Sequence, residues 1–131
     1  MNPTLRILAC MAVFMPATAA TAHHSGAMFD RSRTVTVVGT LKEVQWINPH
    51  AWIEVVGSPD AAGPPVHWSF ELGGGGGNLK RMGMTRTNPA VGDKVTIKGY
   101  PLRDGRPGAS FISITGADGH MFVQQLNPLP K

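Results

Sequence analysis

Five histidines are the side chains of this chain best suited to chemistry: His23, His24, His50, His67 and His120. The first two follow Ala20-Thr21-Ala22, a small-residue pattern of the kind at which exported proteins are cut. A cut after Ala22 would leave His23 with a free α-amine beside its own imidazole. Amine and ring Nδ1 can then close one chelate ring on a metal, because both lose their protons cheaply near neutral pH. All-nitrogen donors of this type favour Cu(II). A third nitrogen would come from His24 or from His50, which follows the Asn48-Pro49 turn. Proline fixes the backbone just before His50, so its ring is presented from a rigid position; the other reading of Asn48 and His50 is that they hydrogen-bond the turn backbone. His23, His24 and His50 are therefore the candidate metal ligands and copper the candidate ion. A cut after Ala19 would leave His23 internal and abolish the chelate. Thioethers suit Cu(I), and Met82-Gly83-Met84, Met28 and Met121 are read first as core filling.

His67, Ser69 and Glu71 have the residue types of a catalytic triad but the wrong spacing. Alternate residues of one strand stand about 6.6–7 Å apart and project in parallel. A nucleophile and its base must approach to about 2.6–3.2 Å. With no cofactor motif either, the chain is read as a non-enzyme. His67 and Glu71 remain candidate ligand contacts on a wet strand face. Trp46 and Trp52, which flank the Asn48-Pro49-His50 turn, are candidate stacking surfaces. The run Gly73–Gly77 precedes a helix start but lacks the Gly-Lys-Ser/Thr of a phosphate loop, and reads as a linker.

These residues need elements to position them. The chain has 131 residues, 16 glycines and 11 prolines, with 15% charged side chains. That balance suits one turn-rich β domain. Residues 1–22 have the build of a signal peptide: one basic residue, Arg6, an apolar run from Ile7 to Met15, a break at Pro16 and small residues to Ala22. The run is too short for a permanent span. The one cysteine, Cys10, would leave with it, so the mature chain would hold no disulfide. Losing Arg6 lowers the formal net charge from +4 to +3. Export to the periplasm or medium removes nucleic acid as a partner and favours a glycan, a peptide or a protein.

After a polar arm at residues 23–33, the alternation of Thr34–Trp46 predicts a long first strand, with Gly39 permitting a bulge or bend. Strands follow at Ala51–Val56 and Val66–Leu72, with Val66, Trp68, Phe70 and Leu72 on the apolar face. Asn78 as N-cap and Gly83 as stop predict a short helix. Lys94–Tyr100, Ser110–Thr115 and a short His120–Gln124 complete the strands, and residues 126–131 form a tail. Three strands, a helix, then two or three strands, with a long bent first strand able to pair on both edges, is the order of an OB-fold barrel. The expectation is an all-β, five- to six-stranded OB-like barrel over residues 34–125, with one short helix between strands 3 and 4.

His23-His24-Ser25, Met28-Phe29-Asp30, Gly39-Thr40, Trp46-Ile47-Asn48-Pro49-His50, Trp68-x-x-Glu71, Gly92-Asp93-Lys94-Val95 and Gly99-Tyr100-Pro101 together resemble a bacterial family of small exported proteins of unknown function. The resemblance spans nearly the whole mature chain and its Trp-x-Asn-Pro-His segment is distinctive. It implies export and a single domain, and it transfers no catalytic residue.

Overall fold

A computed structural model describes residues 26–124. Residues 1–22, expected as a signal peptide, His23, His24 and the expected tail at residues 126–131 lie outside the described residues. Six strands and one helix are present: β1 Val35–Gln45, β2 Trp52–Pro59, β3 Val66–Glu71, α1 Gly76–Arg81, β4 Lys94–Pro101, β5 Gly108–Thr115 and β6 Met121–Val123. The sheet order is β3-β2-β1-β4-β5-β6, and a further β3–β5 pairing closes the first five strands into a barrel. All pairings are antiparallel except β3–β5, which is parallel over Ser69↔Gly108 to Glu71↔Ser110. This is the expected OB-like barrel, with α1 between the third and fourth strands.

Closure rests on β1. Its first half, Val35–Thr40, pairs with β4, and Val37–Gln45 pairs with β2. The expected bend at Gly39 takes another form. The register shift falls between Leu41 and Glu43. Gly39 instead faces Gly57 on β2, where a Cβ on either would strike the opposite backbone, at Val56 O or Val38 O. The two glycines let β1 and β2 approach more closely than side chains would permit.

The interior is filled by alternate residues of the strands, Val37 and Leu41, Ile53 and Val55, Trp68 and Phe70, Val95 and Ile97, by Phe111 and Ile114 on either side of the β4–β5 register shift, and by Phe122 from β6 and Leu79 from α1. Val66, expected on this apolar face, is exposed at the mouth of β3. Met84 is buried and Met82 packs against the same core, which gives this pair a structural role.

α1 differs from expectation at its start. Gly75, not Asn78, is the N-cap, and Asn78 is buried inside the helix, where its Oδ1 accepts from Arg81 Nη2 at 3.4 Å. Gly83 has φ +90° and ends the helix as expected. The glycine run is not a loose linker. Ala51 N donates to Gly74 O at 3.0 Å and Gly76 N to Ile47 O at 3.2 Å, and a Cβ on Gly75 would overlap Asn48 Oδ1. Glycine is needed at Gly75 because the Ile47–Asn48 loop packs directly against it.

Candidate functional site

The outer face of β2 and β3 carries the polar residues. Register sets Trp52 opposite Glu71, Glu54 opposite Ser69 and Val56 opposite His67. With side chains alternating along each strand, these six share one face, while Ile53, Val55, Trp68 and Phe70 point inward. Two further segments wall this face. Phe29 bridges Leu102, Asp30 N donates to Pro101 O at 2.8 Å and Arg103 N to Met28 O at 3.0 Å, so the arm lies along the chain leaving β4. The β4–β5 connection turns at Gly105, φ +79°, and is held by Leu102 N to Gly108 O at 2.9 Å and by an Arg106–Asp104 ion pair at 2.7 Å.

Face, arm and connection enclose a cleft of about 410 Å3. Met28, Phe29, Trp52, Leu102 and Pro107 give it apolar walls, and His67, Ser69, Glu71 and Arg106 give it polar groups. Its volume is that of a small-molecule site. A hollow of similar size on β4–β6 has no carboxylate and no imidazole in its lining.

Below the cleft, Glu54 Oε2 accepts from His67 Nε2 and from Ser69 Oγ, each at 2.6 Å. The serine donates to a carboxylate rather than to an imidazole, so this trio lacks the nucleophile-to-base hydrogen bond of a triad. What it does is hold His67 and Ser69 in fixed orientations.

Behind Glu71 lies a smaller hollow of about 160 Å3, lined by His50, Glu71, Leu72, Gly73, Ser110, Phe29, Arg31 and Gly26. His50 Nδ1 is 3.0 Å from Leu72 O and 3.7 Å from Glu71 Oε1. The first contact is a hydrogen bond; the second is too long to be one. A carbonyl only accepts, so Nδ1 carries the hydrogen and the neutral ring keeps Nε2 as its lone-pair nitrogen. His50 therefore bonds the end of β3, not its own turn. A ring fixed in this way is in the state that metal-binding histidines adopt.

Glu54 and Glu71 are the two buried charged side chains among the described residues, at 9% and 6% exposure. Neither forms an ion pair with a described Lys or Arg; their charged-group neighbours are His67 and His50. No described residue donates a hydrogen bond to the Glu71 carboxylate. Carboxylates are rarely buried without such compensation, because desolvation penalises the charge.

Of the residues singled out from sequence, Trp52, His67 and Glu71 meet in the cleft, and His50 meets Glu71 in the hollow. Trp46 lies elsewhere, packed partly against the core with the Arg86 guanidinium 5.1 Å over its ring. His120 stacks edge-on against Phe122. Glu54 was not recognisable as a site residue. Its two-residue spacing from Trp52 put it on the same strand face, but only the β2–β3 register shows that His67 and Ser69 converge on it. Among the described residues no three His, Cys, Asp or Glu side chains converge as a metal would require. No described helix is long and apolar enough to cross a membrane.

Fold and site together define a small, closed OB-like barrel whose β2–β3 face carries two carboxylate–imidazole pairs beneath an N-terminal arm. The chain belongs to DUF6152, a family of unknown function whose model matches residues 11–111. No curated protein and no solved structure matches it.

Proposed function

We propose that this protein is a small exported metal-binding protein whose ion is copper, held where the mature N-terminus meets His50. The supporting observation is that Gly26 lines the same hollow as His50 and Glu71. His24 is two residues and His23 three residues before Gly26. Three residues of extended chain reach about 10 Å, enough to bring a terminal amine and imidazole to a hollow this small. His50 Nε2 would add a nitrogen. Glu71 would add a carboxylate oxygen or balance the ion's charge, which accounts for an acid buried without a basic partner. Ligands must be deprotonated and pre-oriented to bind well, and the Leu72 carbonyl supplies the orientation for His50.

The cleft on the other side of Glu71 favours a second reading, a metal-free module that binds an organic ligand. Cu(II) titration of the exported protein, followed by electron paramagnetic resonance, separates the two. The metal reading expects nitrogen hyperfine structure from two or more nitrogens. It also expects binding to weaken at least about tenfold, or 1.4 kcal/mol, on adding one residue before His23 and again in His50→Ala. Equal binding by all three forms, or no binding by the exported protein, would overturn it.

A further inference from the structure

We propose that the cleft between β2–β3, the arm and the β4–β5 connection binds a small organic cation, a molecule with an ammonium or amidinium group on a flat apolar body. This goes beyond the metal reading; it draws on the same carboxylate, Glu71, from the cleft side, and is tested with metal removed. The argument begins with charge. The chain is basic, with 12 Lys and Arg against 8 Asp and Glu. Yet the two buried charges both sit on this one sheet face, both are acidic, and neither forms an ion pair with a Lys or Arg among the described residues, with Arg31 lining the hollow on the far side of Glu71 and not the cleft. Glu71 lines the cleft, is more than nine-tenths buried and has no described hydrogen-bond donor. The cationic side chain that does line the cleft, Arg106, is 2.7 Å from Asp104 and so already matched. The cleft thus presents the Glu71 carboxylate, buried and without a described hydrogen-bond donor, for a fitting cation to pair with.

The walls specify the rest of the ligand. Trp52 stands opposite Glu71 on the neighbouring strand, so a cation at the carboxylate also lies beside an indole, whose face attracts positive charge. Phe29, Met28, Leu102 and Pro107 accept a flat apolar body. Ser69 and His67 are each oriented by a hydrogen bond to Glu54. An anionic ligand, including a nucleic-acid backbone, would meet the Glu71 carboxylate and be repelled.

The test uses the exported chain stripped of metal with a chelator, and three probes of matched shape: benzylamine, benzyl alcohol and benzoate. Amide and indole NMR shifts are followed during titration. Benzylamine is expected to move the Trp52 indole and the Ser69 and Gly108 amides saturably, with benzoate at least about tenfold weaker and Glu71→Gln weakening benzylamine by a similar factor. Trp52→Leu should weaken it independently, which keeps the test sound should Glu71→Gln disturb the fold. Benzoate or benzyl alcohol binding as tightly as benzylamine would overturn the proposal, as would shifts confined to residues outside the cleft or unchanged affinity in both variants. Metal binding is read separately by paramagnetic resonance, so failure of one idea does not count against the other.

Discussion

The Trp68 indole Nε1 is buried without a hydrogen-bond partner among the described residues. Its ring stacks on Phe70 at 6.2 Å between centroids, so the residue is retained for packing while its N–H is left unpaired. An unpaired buried donor costs roughly 1–3 kcal/mol, comparable to the area lost in exchanging indole for phenyl. Trp68→Phe should therefore leave stability within about 1.5 kcal/mol of the parent, whereas Phe70→Ala should lose about 3–5 kcal/mol. Urea unfolding measures both, and a large loss in Trp68→Phe would show that the indole has a partner after all.

Asp30 makes a pH prediction at the same scale. The Ser32 hydroxyl first, then the Ser32 amide and Arg33, donate to its carboxylate and hold its pKa below the ordinary 3.8. A pKa lowered by folding means that the carboxylate supports the folded arm above the unfolded value. That support is lost as pH falls through the lower folded value. The Ser32 and Arg33 amide signals should thus shift in acid below pH 3.8. Asp30→Asn should abolish that transition, and its survival in the variant would assign it to another group.

At the scale of elements, glycines with opposite surroundings have opposite consequences. Gly57 lies where β1 and β2 touch, and an added Cβ would strike the Val38 carbonyl and the Gly39 Cα. Backbone cannot swing away as a side chain can, so Gly57→Ala should cost about 1–3 kcal/mol or more. Gly77 lies within α1 with open space around its Cβ position. Gly77→Ala should stabilise by about 0.5–1 kcal/mol through helix propensity and lower unfolded-chain entropy. Thermal unfolding of the two variants should give midpoint shifts of opposite sign.

For the whole molecule, the arm joins barrel to site. Phe29 is 7% exposed, bridges Leu102 and lines both the cleft and the hollow. Phe29→Ala should cost roughly 3 kcal/mol and weaken Cu(II) and benzylamine binding together, because one side chain braces both recesses. An effect on stability with neither affinity changed would show that the arm does not shape the site. Closure by the three-residue β3–β5 pairing places the connection, residues 102–107, directly over Ser69 and Glu71. The cleft therefore exists only in the closed barrel.

Much of this architecture was legible along the chain. Period-two alternation in Val66–Leu72 reports which side chains face the core, because a strand half covered by neighbours imposes it locally. The long Val-Thr-rich first strand, the stop at Gly83 and the start of β4 after the Gly92-Asp93 turn are likewise local matters of backbone preference. Trp52, His50, His67 and Glu71 could be picked out by type and by position on strand or turn. Their assembly could not. Glu54 meets His67 and Ser69 only through the β2–β3 register, Glu71 is buried only because the arm and the β4–β5 connection cover it, and His50 reaches Leu72 across 22 residues. Composition and periodicity act over a few residues, while desolvation and hydrogen-bond partners depend on segments that meet only when the barrel closes. The chain alone thus determined the strands, the fold class and the residues with chemical capacity; tertiary structure decided that two buried acids share one face and that the arm, from Gly26 to Phe29, lies against it.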